Sequence, residues 1–285
     1  MTDNATQSGI SNILIATDGS VYADAAMECG AWLASHTSAE VTALYVIDAR
    51  RLAGHFITHV SEIIGSRPDE SQAGRVRDYY WSQGEQALGR AKAICERRGV
   101  KCHTQLETGN VTTVLVDASA LVDLLVMGIR GEDEEYETGF LGSVTEKVVR
   151  KVQRPVLLTH LLFKEFRRAL LAYDGSDAAR KAMEMLARLA VALKMDVDAA
   201  QLVEEGEDTT VLKEVLLYFQ QFHVPVSIHY LVGDSHSLII DHAKENNCDL
   251  LAMGAYDNRL ADTLALGTTT EYLMRNSPVP VLVRH

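Results

Sequence analysis

Three short stretches carry residue types suited to holding a phosphate. Gly128 and Gly131 flank Arg130. Gly142 and Ser143 precede Val144 and Thr145. Asp18-Gly19-Ser20 follows an apolar run that ends at Thr17. Glycine has no Cβ, so a ligand can approach its backbone closely. Ser143 and Glu146, three positions apart, form the pattern of a capping box, with Ser143 as N-cap of a helix over 144–152. The amides of Ser143, Val144 and Thr145 would then point outward at the positive end of that helix, which suits an anion. Asp18 can accept hydrogen bonds from a ribose hydroxyl or an adenine amine, and Arg130 can balance charge. Each piece also has a purely structural reading: a capping box closes a helix, glycines after a strand make a turn, and Asp-Gly-Ser caps the next helix through Ser20. One feature opposes a phosphate site. Five of the six residues 132–137 are acidic. As a solvated flap beyond about 8 Å their charge is screened at cellular salt. The alternative is that one carboxylate helps hold a Mg²⁺ bridging the phosphates.

These residues need elements to bring them together. The runs 13–17, 41–47, 101–107, 124–128 and 155–160 read as strands, mostly continuous apolar ones buried on both faces. Between them lie helical patterns over 23–35, 71–98 and 111–120, the last with Asn110 as N-cap. Gly84 and Gly89 each cost the 71–98 helix about 1 kcal/mol relative to Ala. The chain then repeats itself. ILIATDGS (13–20) recurs as ALLAYDGS (169–176), and LGSVTEKVVRKVQRPVLLTH (141–160) recurs as LGTTTEYLMRNSPVPVLVRH (266–285). Two copies of one unit follow: domain 1 over 1–160 and domain 2 over 165–285, joined by a short connector, 161–165. Asp18 and Gly109 stand 91 positions apart against 59 for Asp174 and Gly233. The surplus is an insert near 49–80.

Strand–helix alternation predicts an α/β fold, two doubly wound five-stranded parallel sheets in the order 3-2-1-4-5. In that order ligands sit at the carboxyl ends of strands 1 and 4, where the winding reverses. The loops found there are Asp18-Gly19-Ser20 and Gly128-Ile129-Arg130-Gly131, so topology unites the two most distinctive loops of the unit.

Net charge is −12 over 285 residues, shared as −6 in 1–160 and −6 in 161–285. That argues against a nucleic-acid or anionic-membrane partner. With no apolar run near 18 residues and a polar start, no membrane span or leader is expected. The four cysteines show no CxxC spacing and read as free thiols of a cytoplasmic protein. Cys102 beside His103 reads as a strand edge, not half of a metal site. The ten histidines are scattered and read as surface or helix-end residues, with no metal site among them. No Walker A lysine follows a glycine loop and no GxSxG elbow occurs, so an enzyme is not favoured.

The repeats resemble universal stress protein domains, and the whole chain resembles a tandem member. The resemblance rests on the DGS after strand 1, the YVID ending strand 2, the GSVTEKV helix start, and a glycine motif of that family, G-x2-G-x9-G-[ST]. Copy one has ten residues in place of nine between Gly131 and Gly142. The resemblance implies the fold shared with adenine-nucleotide hydrolases and ligases. It implies ATP, held by Asp18 and by the backbone of Val46, Met127, Gly128, Gly131, Gly142, Ser143, Val144 and Thr145; Thr17 and Arg130 complete the candidate set. It implies a nucleotide-dependent regulator with weak hydrolysis at best. A slow ATPase and a nucleotide-free protein-binding module are the alternatives. Copy two keeps the spacing but has Asp257 in place of the second glycine. At 4 Å two like charges repel by roughly 4 kcal/mol at an effective dielectric near 20, so copy two is expected to bind ATP poorly. The terminal strands 154–160 and 279–285 are expected to pair across a pseudo-twofold axis as an internal dimer, with a further homodimer allowed. The insert, with Tyr79-Tyr80-Trp81 expected in the core, lies at the same sheet edge as the site and reads as a lid or a surface for an unidentified protein partner.

Overall fold

The computed structural model describes residues 9–52, 70–131, 141–206, 209–255 and 268–285, with side chains of the long helix described from residue 74. The insert residues 53–69, the acidic run 132–137, and Asp257 with Gly267 therefore lie outside the described residues. The first half contains strands β1 (Asn12–Thr17), β2 (Glu40–Asp48), β3 (Cys102–Gly109), β4 (Leu124–Gly128) and β5 (Val156–Thr159). Its helices are α1 (Val21–Thr37), α2 (Ala49–Leu52), α3 (Glu70–Arg97), α4 (Val111–Ser119) and α5 (Ser143–Lys151). The second half contains β6 (Arg168–Ala172), β7 (Asp196–Val203), β8 (Val226–Val232), β9 (Leu250–Gly254) and β10 (Val281–Arg284). Its helices are α6 (Asp177–Leu193), α7 (Val211–Gln220), α8 (Ser237–Glu245) and α9 (Thr268–Asn276).

All ten strands join in one sheet, ordered β3-β2-β1-β4-β5-β10-β9-β6-β7-β8. Each half is parallel and has the expected 3-2-1-4-5 order. Side chains alternate along each strand, so β1 feeds two cores. Ile13 and Ile15 pack with α1 and α3 on one face, while Leu14 packs with α4 and α5 on the other. β4 is buried at all five positions, as expected of a strand covered on both faces. Gly84 is helical because α3 lies close on the sheet there: a Cβ would sit 2.7 Å from Leu106 and 3.0 Å from Tyr45. With that face inward, Tyr80 packs against the core, but Tyr79 and Trp81 stay 58% and 43% exposed. The expectation of a buried aromatic run is corrected for those two.

The halves meet at one antiparallel pairing. Val281, Leu282 and Val283 of β10 stand opposite Leu158, Leu157 and Val156 of β5, and all six are fully buried. Burying each such side chain contributes roughly 1.5–3 kcal/mol. Above this seam α5 and α9 carry matching pairs that run from the first turn to the last, Glu146–Arg150 at 2.8 Å and Glu271–Arg275 at 2.9 Å, and Arg275 also reaches Glu146 across the seam at 3.5 Å. The connector is anchored as well: Phe163, and Phe166 just beyond it, pack tilted and edge-on against Trp32 with ring centroids 5.3 and 5.4 Å away.

Each seam strand is followed by a histidine, His160 half-buried and His285 buried. Burial pushes His160 below the ordinary histidine range, and burial takes His285 down to about 4. An unfolded histidine protonates near 6.5, so between pH 6.5 and about 4 the unfolded chain binds more protons than the native one, and stability falls as pH drops through that window. Urea midpoints measured across this window should fall towards acid, with a shallower slope in His285→Gln.

Candidate functional site

Asp18-Gly19-Ser20 folds as a turn and a cap at once. Asp18 Oδ1 accepts from the Ser20 amide at 3.0 Å, Gly19 has φ +83°, and Ser20 Oγ accepts from Ala23 N–H at 3.2 Å to start α1. The second half repeats this with Asp174, Gly175 (φ +77°) and Ser176. The structural reading of the motif therefore holds in both copies.

The glycine after β4 likewise serves packing. A Cβ on Gly128 would stand 2.8 Å from Tyr22 Cβ and 2.9 Å from the Arg130 carbonyl oxygen; at Gly254 it would stand 2.7 Å from the Ala179 nitrogen. In both copies the start of a helix crosses the end of the neighbouring strand too closely for any side chain. A threonine then ties the next helix to that strand end: Thr145 Oγ1 donates to the Gly128 carbonyl at 3.1 Å, and Thr270 Oγ1 to the Gly254 carbonyl at 3.0 Å. Gly131 differs. The atom its Cβ would meet is Asp18 Oδ2, at 2.7 Å. Its missing side chain keeps Asp18 and the β4 loop in contact.

One expectation is corrected at α5. The N-cap is Gly142, with φ −58° and ψ 140°, and no side-chain cap hydrogen bond forms. Gly142 N–H donates to the Ile129 carbonyl at 3.0 Å, and its own carbonyl accepts from Glu146 N–H at 2.8 Å. That bond pins Gly142 as the last non-helical residue and moves Ser143 to the first helical position. Glu146 is drawn to Arg150 and Arg275 and does not close a capping box. The first-turn amides still face the same direction, since no earlier helical carbonyl can accept them.

These parts border one cleft at the carboxyl edge of the first half-sheet. Of the eleven candidate residues, ten line it: Thr17, Asp18, Val46, Met127, Gly128, Arg130, Gly131, Ser143, Val144 and Thr145. Gly142 does not; it sits one residue behind, as the cap. Sequence reasoning missed other walls. Tyr45, Ile47 and Asp48 come from β2, Val111 and Leu115 from one face of α4, and Arg51 and Tyr80 from the two described ends of the insert. The i, i+4 spacing of Val111 and Leu115 behind Asn110 was the available signal for that wall. The Arg51 guanidinium lies 5.6 Å from the Tyr80 ring centre, and that of Arg130 lies 6.0 Å from Tyr22. Asp48 is held below the usual carboxylate range by its hydrogen bonds from Arg50, the shortest at 2.5 Å. Among the described lining residues there is no histidine, cysteine, lysine or glutamate.

Over residues 9–160 and again over 198–285 the sequence matches the universal stress protein family. The chain belongs to that family. A universal stress protein of Synechocystis sp. is 28% identical over 284 residues, covering 95% of this chain and 98% of the relative. Another, from Methanocaldococcus jannaschii, is 32% identical over 155 residues, 54% of this chain and 84% of its own. A solved universal stress protein of Archaeoglobus fulgidus shares the fold, with a TM-score of 0.77 at 23% identity and 98% of each chain covered. Among the described residues no helix of this universal stress protein is long and apolar enough to cross a membrane.

The two glycines should separate by experiment. Gly128→Ala forces a Cβ against backbone and should destabilise by roughly 1–3 kcal/mol in urea unfolding. Gly131→Ala meets only a side-chain oxygen and should cost clearly less.

Proposed function

We propose that this universal stress protein binds ATP in the cleft of its first domain, residues 1–160, and acts as a nucleotide-dependent sensor or interaction module. The second domain, 165–285, is the non-binding copy. The observation that carries this reading is the convergence of three elements on one cleft: Asp18 at the end of β1, the side-chain-free wall of Gly128 and Gly131 after β4, and the first turn of α5. Backbone amides of that turn take the phosphates, with Arg130 alongside. The β2 segment at Tyr45 to Ile47 and the apolar pair Val111 and Leu115 form the adenine side. Asp18 receives the ribose.

Binding is favoured over turnover by the hydrogen bonds that already engage the two carboxylates in the wall. Asp18 Oδ1 accepts from the Ser20 amide, and Asp48 is clamped by Arg50, which holds it below the usual carboxylate range and away from a general base poised near neutral pH. Arg51 and Tyr80 put both described ends of the insert on the rim, which supports the lid reading.

Calorimetric titration with ATP, with and without Mg²⁺, tests the site. Gly131→Asp copies the residue of the second repeat at this position, and it should cut affinity by roughly three decades. Equal affinity in wild type and variant would sink the assignment, and sustained multiple turnover would make the protein an enzyme. Limited trypsin cleavage after Arg50 and Arg51 should slow when ATP is added; cutting at an unchanged rate would rule out the lid.

A further inference from the structure

The second half buries a polar cluster that its fold does not require. Asp198 lies on β7, 1% exposed, facing α8 within the core that holds Leu170, Ile240 and Leu251. His229 on β8 brings its Nε2 to 3.7 Å from Asp198 Oδ1, and His242 on α8 brings its Nε2 to 4.0 Å from Asp198 Oδ2. Cys248 Sγ lies 3.8 Å from the same Oδ2. The two imidazole rings are 4.4 Å apart. One ligand atom from each of Asp198, His229 and His242 falls within 4.8 Å of the others, and among the described residues no other group of histidine, cysteine and carboxylate side chains does so. His242 does lie in the last turn of α8, as a helix-end residue, but it is buried, and His229 is a half-buried strand residue.

The matched strand registers show what the fold needs at these places. Leu14 faces Thr42 as Leu170 faces Asp198, and Leu44 faces Gln105 as Ala200 faces His229. Val116 is the sixth residue of α4 as His242 is of α8. Val122 precedes Asp123, whose carboxylate caps the start of β1, as Cys248 precedes Asp249, which does the same for β6. The first half thus builds the same layer with Thr, Gln and two Val. The second half has replaced all four with residue types that ligate metals.

Stability does not account for the exchange. A buried charge costs several kcal/mol unless well paired, and a buried ion pair seldom exceeds an apolar filling. Here Arg168, 38% exposed, approaches Asp198 only to 3.8 Å. His229 Nε2 is buried with no hydrogen-bond partner. Asn246 Nδ2 lies 3.3 Å from both nitrogens of His242 and so selects neither tautomer; its well-formed bond goes to the His242 carbonyl at 2.9 Å. Burial, then His229, holds His242 below the ordinary histidine range. Burial, then Asp198, raises the Cys248 thiol to about 12.

We propose that Asp198, His229 and His242, with Cys248 as fourth ligand, form a zinc site in the second domain. Tetrahedral zinc with bonds of about 2.0–2.3 Å spaces its ligand atoms about 3.3–3.6 Å apart. The three ligand atoms of Asp198, His229 and His242 lie within 4.8 Å of one another, so closing on one ion draws them in by up to about 1 Å. Cys248 Sγ is near Asp198 Oδ2 at 3.8 Å but outside that group, and joins by a larger side-chain shift. Nitrogen and sulfur donors favour zinc over magnesium or calcium, whose ligands are oxygens. The half-exposed edge-strand residue His229 provides the way in.

The test uses the untagged full chain, stripped with chelator and titrated with zinc chloride by calorimetry and with cobalt(II) by absorption. One zinc per chain is expected, with visible cobalt bands of tetrahedral intensity and a thiolate charge-transfer band. His229→Gln and His242→Val, which install the residues of the first half, should lower zinc affinity by more than the roughly 100-fold that loss of an outer-shell partner costs. Cys248→Val should abolish the charge-transfer band. Should His242→Val fail to fold, His229→Gln on the edge strand carries the comparison. No zinc uptake by the wild type, or uptake unchanged in His229→Gln, overturns the proposal. It stands apart from the nucleotide reading, because these residues lie towards the amino ends of the strands and the cleft at the carboxyl ends of the other half.

Discussion

The antiparallel contact between β5 and β10 is the constraint from which the rest of the molecule is built. A five-stranded parallel sheet ends in a strand whose outer backbone groups need partners. In each half that strand is Val-Leu-rich and buried on both faces, so water cannot satisfy it. Pairing the two ends closes both requirements at once and aligns α5 with α9 over the seam. The Glu146–Arg150 and Glu271–Arg275 pairs, joined by Arg275 to Glu146, mark how closely the two helices are held. Because α5 also supplies a wall of the cleft, the seam and the candidate nucleotide site share one helix.

Within that frame, two copies of one motif need not mean two copies of one function. Asp-Gly-Ser, the glycine after the fourth strand and the threonine strut do the same structural work in both halves. They are required by the crossing of a helix start over a strand end, whether or not a ligand is present. What distinguishes the first half is Gly131, which rests against the Asp18 carboxylate, and the long α3, which brings Tyr80 to the rim. The second half spends its differences elsewhere, on the polar layer around Asp198. The informative residues are those at which the two copies disagree.

Much of this was legible in the sequence because it is local or topological. Continuous apolar runs gave the strands, repeat matching gave the two units, and the handedness of strand–helix–strand crossovers left few sheet orders to consider. The meeting of the Asp18 loop with the loop from Gly128 to Gly131 followed from that order, and the resemblance to the family implied the other lining residues. What was misread depended on contacts between distant segments. Ser143 looks like an N-cap until Ile129, thirteen positions upstream, fixes Gly142. Tyr79 and Trp81 look like core until Gly84 shows which face of α3 touches the sheet: residues 80, 84, 87 and 91 turn inward, which carries 79 and 81 out. His229 and His242 lie on a strand and a helix with no ligand spacing between them; the register of β7 against β8 brings the first to Asp198, and the packing of α8 on the sheet brings the second.

Joining the halves through one continuous chain changes the arithmetic of the seam. Two separate subunits would hold this contact only above their dissociation constant, and dilution would expose the edges of β5 and β10. Here the partner strand is always present at a fixed effective concentration, so the ten-stranded sheet persists at any protein level. The seam is thereby exempt from a limit that governs ordinary dimers, and each half can diverge without losing its mate.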